Sequence, residues 1–237
     1  MRKAWLIAQR EITWELFGDR GSVIRTSLFA LLPIFLAVSA RGTGGGGQRL
    51  DGALLGLALQ AAFIPALTGV GLIASTFTAE KENQTLVPLL AAPIGDFDIV
   101  AGKLIGMLIP VTATCGASLG VFYVVSGWLY GWGRIARVLP PEIIYALLVV
   151  SFLYLLTAGS VALIVAARVR TSRAAQQLAG LVIGLSILVT ALLGAGAIAL
   201  FEGWGLVVLG VVLIALDVVA LEIARRAWQR SEVIARI

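Results

Sequence analysis

The chain has no histidine, one cysteine and little charge. Without histidine it lacks the commonest metal ligand and the side chain that usually relays protons near neutral pH. Cys115 alone can form neither an internal disulfide nor a thiolate cluster. No metal site and no cofactor are expected within this chain. Asp, Glu, Lys and Arg make up 13% of the 237 residues and hydrophobic residues 59%. Soluble globular chains carry about 25% charge and about 45–50% apolar residues, so a soluble domain is excluded. The net charge of +5 is dispersed over several hydrophilic segments. It forms no single basic stripe to track phosphates, so no nucleic-acid partner is expected.

What the chain does contain is uncharged length. Residues 26–40, 52–79, 104–133, 143–167, 174–201 and 203–216 carry no Asp, Glu, Lys or Arg. A helix needs about 20 apolar residues to cross roughly 30 Å of hydrocarbon. Four runs exceed that, and the first and last reach it with flanking residues. A membrane barrel would instead show weak alternating segments of about ten residues. The expected fold is an all-α integral membrane protein with six transmembrane helices.

The basic residues orient it. Arg2, Lys3, Arg10, Arg20, Arg25, Lys81, Lys103, Arg168, Arg170, Arg173, Arg225, Arg226, Arg230 and Arg236 fall on the side of the N-terminus. Only Arg41, Arg49, Arg134 and Arg137 fall on the other. Short loops rich in Lys and Arg stay cytoplasmic. Both termini are therefore expected inside, in a multi-pass protein of the cell's inner membrane in contact with its lipids. No cleaved signal peptide is read at the N-terminus. The organisation reads as a cytoplasmic N-terminus at 1–22, a six-span domain at 23–224 and a cytoplasmic tail at 225–237.

Within 2–20, Trp5, Ala8, Ile12 and Leu16 recur at helical spacing, while Glu11 and Glu15 take another face. This predicts an amphipathic helix at the membrane surface, with Trp5 and Trp14 at the interface. The glycine-rich stretch 42–47 has the G-x-x-x-x-G spacing of a phosphate loop, but Gln48 and Arg49 follow where Lys and Ser or Thr are needed. It reads as an external turn. Pro33, Pro65 and Pro110 fall inside spans and free backbone carbonyls for neighbouring helices to satisfy. The glycine pairs 52/56, 102/106, 116/120 and 180/184 permit close helix approach. Residues 128–142 read as an external loop whose Trp128, Tyr130 and Trp132 form an interfacial belt. Gly194 and Gly196 predict a break in the fifth span near its outer end.

Residues 77–103 are too polar at their start for membrane and too apolar afterwards for a free loop. Thr85 can cap a short helix through Leu86, Leu89 and Leu90, with Pro88 tolerated in its first turn. Pro93 ends it, and Asp96 can cap the helix that becomes the third span. An apolar helix tip on a cytoplasmic loop needs a partner to bury it.

Phe77, Glu80, Lys81, Glu82, Thr85, Leu86, Leu89, Leu90, Pro93, Gly102 and Lys103 resemble the signature between spans two and three of type-2 ABC transporter permease subunits. Gln84 departs from it, where glycine is usual. The six-span plan, the N-terminal surface helix and the broken fifth span resemble the exporters of this family. The resemblance implies a pathway between two permease chains, expected as a homodimer. It also implies a separate ABC ATPase subunit that carries the ATP and Mg²⁺, so this chain is expected not to be an enzyme itself. Residues 80–93 would be the coupling helix, with Glu80, Lys81 and Glu82 setting charge fit and Thr85, Leu86, Leu89 and Leu90 forming the docked helix.

Asp217 is the one acid well inside a span. A carboxylate at mid-membrane costs roughly 2.5–3.5 kcal/mol on insertion scales, and such residues face a bundle interior or a watery cavity. It reads as a gate, a polar substrate contact, a proton site, or a neutral acid joining two helices. Two other functions stay open: a transporter or channel driven by an ion gradient, for which Asp217 is the lone intramembrane acid, and a membrane scaffold. Substrate and direction of transport are not legible.

Overall fold

In hydrocarbon the backbone finds no water, so apolar segments bond their own N–H and C=O groups by coiling into helices. The computed structural model describes residues 5–9, 12–13, 20–40, 47–82, 95–169, 171–201 and 205–227. Among the described residues there is no strand. The helices are α1 (Arg20–Ser39), α2 (Gly47–Glu82), α3 (Asp96–Tyr130), α4 (Trp132–Val138), α5 (Pro141–Arg168), α6 (Ser172–Phe201) and α7 (Gly205–Ala227). Four stretches are long and apolar enough to cross a membrane: Gly47–Ala74, Ala101–Tyr130, Pro141–Ala166 and Val207–Ala224. A shorter apolar stretch, Arg173–Val189, lies in α6. α1 overlaps the first of the six expected spans, with Arg20 and Arg25 in its first two turns.

Several expectations differ from the helices observed. The polar start of the segment 77–103 is not a separate element, because α2 stays helical through Glu82. At about 1.5 Å per residue its 36 residues are roughly 54 Å long, far more than the hydrocarbon needs. α3 starts at Asp96, where the Gly95 carbonyl accepts from the Ile99 N–H, and it carries Lys103 into the packed interior at 1% exposure. α6 runs unbroken past Gly194 and Gly196 to Phe201. Continuity there keeps backbone groups paired where a break would strand them. Residues 5–9 and 12–13 are helical, with Trp5 and Leu6 exposed and Ala8 buried. The rest of the expected surface helix, the glycine-rich stretch up to residue 46 and the tail from 228 lie outside the described residues.

The chain divides into two compact units. One comprises Trp14–Ala66 and Pro110–Phe152. Its core joins Leu36 and Ala37 of α1, and Ala40 just after it, to Leu54, Ala58, Ala61 and Ala62 of α2. Leu119 and Phe122 of α3, Ile135 of α4, Leu139 and Leu147 complete it. The alanines of α2 recur at i, i+3 and i+4, so one face of that helix is smooth enough for close packing. Pro65 lacks an N–H and leaves the Ala61 carbonyl unpaired within α2. The Ser118 hydroxyl of α3 donates to that carbonyl at 2.6 Å. A proline-freed carbonyl is thus satisfied by a neighbouring helix, as expected for prolines in membrane spans.

The expected loop 128–142 is mostly helix. α3 ends where Gly131 takes φ 91, a conformation that side-chain-bearing residues rarely adopt. Its N–H bonds the Gly127 carbonyl at 3.0 Å, and its carbonyl accepts from Arg134 and Ile135 to start α4. The chain folds back so that the Trp132 ring occupies the space a Gly127 Cβ would need, 2.6 Å away. Tyr123 and Trp132 have ring centroids 6.1 Å apart at 54°. The Tyr130 hydroxyl donates to the Ala37 carbonyl at 2.8 Å. Arg134 Nε donates to Asp51 Oδ1 at 2.7 Å, and its terminal nitrogen donates to the Gly47 carbonyl at 3.0 Å. Trp128 and Trp132 are exposed.

The other unit comprises Met1–Thr13, Leu67–Ile109 and Leu153–Ile237. It buries Val70, Ile73 and Ala74 of α2, Leu104 and Met107 of α3, and Leu155, Ala158, Ala162 and Leu163 of α5. A Cβ on Gly159 would lie 2.7 Å from Ile73 Cδ1, so this glycine marks a true close approach. Five of the glycines picked from spacing do not. Cβ atoms on Gly52, Gly56, Gly120, Gly180 and Gly184 would meet nothing within 4 Å.

The Gly127–Trp132 packing is testable by a double-mutant cycle. Gly127→Ala should lower unfolding stability in mixed micelles by about 1–3 kcal/mol through overpacking. In a Trp132→Ala background the same change should cost far less. Equal costs in both backgrounds would show that the ring does not occupy that space.

Candidate functional site

Two places in the chain hold chemistry that the fold does not need. The first is the charged end of α2. Glu80, Lys81 and Glu82 occupy its last turn, one helical stretch on from the buried Thr78. Thr78 folds its hydroxyl back on the Ala74 carbonyl at 3.1 Å, which hides a polar group inside its own helix. Thr85, Leu86, Leu89 and Leu90 lie outside the described residues. α5 and α6 meet at a tight connection. The Thr171 side chain accepts from the Ala174 N–H at 3.3 Å and its carbonyl accepts from Ala175 at 3.0 Å, capping α6. Arg168 and Arg173 flank this cap and are exposed.

The second place is Asp217. α7 buries Leu209, Leu213, Asp217, Ala220 and Ala224, and exposes Val207, Val211, Ile214 and Val218. The acid therefore sits on the packed stripe of the helix, where the spacing of its apolar neighbours puts it. It is 3% exposed. Its Oδ1 accepts a short hydrogen bond from the Thr157 hydroxyl of α5. Its Oδ2 has no hydrogen-bond partner.

Thr157 belongs to a pattern that reading for charge passes over. Ser151, Tyr154, Thr157 and Ser160 recur at every third position of α5. Residues three apart are neighbours on a helix, so the four hydroxyls wind along it as a slow spiral. Ser151 donates to the Leu147 carbonyl at 2.7 Å. Tyr154 and Ser186 of α6 share a hydrogen bond of 2.9 Å. Thr157 reaches the Leu153 carbonyl at 3.0 Å as well as Asp217. Ser160 is fully buried, and its hydroxyl has no partner. The three-residue spacing of hydroxyls, set in an otherwise apolar run, is the signal that would have found them.

The charged end of α2 and Asp217 are separate features of the fold. The former offers charge and helix length. The latter offers a carboxylate, a shared hydroxyl and an unsatisfied hydroxyl one turn away. Among the described residues no three His, Cys, Asp or Glu side chains gather as a metal would require.

The sequence model of the family described as ABC-2 family transporter protein matches residues 13–220. No curated protein matches the chain.

The Thr157–Asp217 bond should register in stability. Thr157→Val leaves the buried carboxyl with neither oxygen bonded, at a cost of about 1–3 kcal/mol in unfolding from micelles. Thr157→Ser keeps the hydroxyl and should recover most of that loss. A valine variant as stable as the parent chain would rule out a contribution from this bond.

Proposed function

The chain belongs to the ABC-2 transporter family, and from that premise we propose that it is the transmembrane permease subunit of an ATP-driven exporter. The observation that carries this is the family match over 13–220, which spans the coupling signature from Phe77 to Lys103. In this reading the chain threads the membrane six times. α1 and α6 supply the two spans beyond the four apolar stretches, and both basic termini lie in the cytoplasm. The N-terminal segment lies along the membrane surface as an amphipathic helix.

Two copies of the chain enclose the pathway, and two separate ATPase subunits dimerise beneath them on binding ATP. Support for a second copy comes from α6. It exposes Leu181, Leu185 and Leu188 beside Gly180 and Gly184, whose Cβ positions are open. Residues 80–93 dock on the ATPase. Glu80, Lys81 and Glu82 set the charge fit, and Leu86, Leu89 and Leu90 bury apolar surface.

The length of α2 gives this reading its mechanics. A single helix from Gly47 to Glu82 passes through a membrane stretch and keeps going. Displacement of its charged end is therefore carried into the bundle as a rigid tilt and not absorbed by a loop. ATP closure below becomes rearrangement of the spans above. Catalysis resides on the partner, and this chain contributes the pathway and the lever.

The test is a coupled ATPase assay on the permease reconstituted with its ATPase subunit in lipid vesicles. Leu89→Glu would place a charge in an apolar contact. It should reduce permease-dependent hydrolysis at least about tenfold, equivalent to about 1.4 kcal/mol, while membrane insertion is unchanged. Unaltered hydrolysis in a correctly inserted Leu89→Glu complex would remove residues 80–93 from the coupling path.

A further inference from the structure

A carboxylate buried at mid-membrane needs a compensating positive charge. Among the described residues none supplies it to Asp217. It makes no ion pair with a described residue. Ion pairs among the described residues join Arg134 to Asp51 and Arg226 to Glu222. The ionisable groups on the elements packed beside it lie elsewhere or are engaged. On α5 they are Glu142, Tyr145 and Arg168 toward the helix ends, and Tyr154, whose hydroxyl is bonded to Ser186. On α6 it is Arg173, in the first turn. On α7 the described pair is Glu222, held by Arg226. Lys103 of α3 is buried in the same unit and makes no hydrogen bond to Asp217 Oδ2.

The Thr157 hydroxyl has one proton and lies within reach of two oxygens, the Leu153 carbonyl and Asp217 Oδ1. A carbonyl can only accept. When Thr157 donates to Leu153, the hydrogen between Thr157 and Asp217 has to come from the carboxyl. When Thr157 donates to Asp217, the carboxylate keeps its whole charge with Oδ2 bare. Both cases call for one added positive charge at this acid. One turn along α5, the buried Ser160 hydroxyl is a second unsatisfied oxygen.

We propose that Asp217, with the hydroxyls of Thr157 and Ser160, forms an intramembrane site for one monovalent cation, either a proton or an alkali-metal ion. A single carboxylate matches a single positive charge. A divalent ion would leave the site with net charge in a medium that penalises it. The carboxylate and hydroxyl oxygens are hard donors suited to a proton or an alkali ion and unsuited to soft transition metals. Binding of a proton takes it from water and converts the carboxylate to a carboxylic acid. Binding of an alkali ion leaves the carboxylate ionised and adds the ion beside Oδ2.

The test is infrared difference spectroscopy on the full chain in lipid nanodiscs, with carbon-13 in its aspartates. One arm steps the pH in a salt of a large organic cation. The other adds sodium or potassium chloride at fixed pH. A protonated-carboxyl carbonyl band that appears in the first arm, and is lost in Asp217→Asn, identifies the proton. A shift of the carboxylate bands in the second arm, lost in the same variant, identifies the alkali ion. Thr157→Val should displace whichever band is present, because the hydroxyl partner is gone. If Asp217→Asn fails to fold, the isotope-labelled parent chain and Thr157→Val decide between the outcomes. Parent spectra with no such band in either arm, or bands indifferent to both substitutions, overturn the proposal. The readout needs neither ATPase nor substrate, so its failure leaves the permease reading standing, and the reverse.

Discussion

Every backbone amide that enters the hydrocarbon has to be paired by the chain itself. That constraint explains why the described chain has no strand and why α2, α3 and α5 run on as long uninterrupted helices. It also explains the small repairs. Ser118 answers the Ala61 carbonyl that Pro65 releases. Thr78, Thr114 and Ser151 fold their hydroxyls back onto the carbonyl four residues earlier. Against that background, unsatisfied buried oxygens stand out. They are Thr112, Ser126, Ser160 and Asp217 Oδ2 among the described residues. Only Ser160 and Asp217 fall in the same unit with a hydroxyl bonded between α5 and α7.

Much of the architecture was legible because hydrocarbon imposes one simple rule. Runs without charge became helices, and the stretches at Gly47–Ala74, Ala101–Tyr130 and Pro141–Ala166 follow the uncharged runs closely. What misled was local chemistry read without its surroundings. Gly194 and Gly196 looked like a break, yet α6 passes through them because a helix in lipid gains nothing by opening. Trp128 to Pro141 looked like a loop, but one glycine at φ 91 lets α4 fold back. The last apolar stretch extends the uncharged run 203–216 to Ala224, as its short length requires. It contains Asp217, because the acid packs inward and the apolar run continues around it.

The site was legible in part. Asp217 was visible as the one acid within a span, but its partner was not. Hydroxyl residues weigh little on any hydropathy scale, so Thr157 and Ser160 leave no mark unless their three-residue spacing is noticed. The glycine pairs drew attention by spacing alone, whereas Gly159, which belongs to no such pair, makes the close contact with Ile73. Close approach depends on what stands opposite, which a single sequence does not state.

Family membership, the overlong α2 and its charged last turn are the supports for the proposal that the end of that helix is the handle by which a companion ATPase moves the bundle. That requires residues 80–93 to face the cytoplasm. Cys115 is the only cysteine and is buried, so in a Cys115→Ser background a cysteine placed at Gln84 reports alone. Labelled with a membrane-impermeant maleimide, that position should react in inside-out vesicles and stay unreactive in intact cells. Reaction from the outside of intact cells would contradict the orientation and, with it, the coupling to ATP.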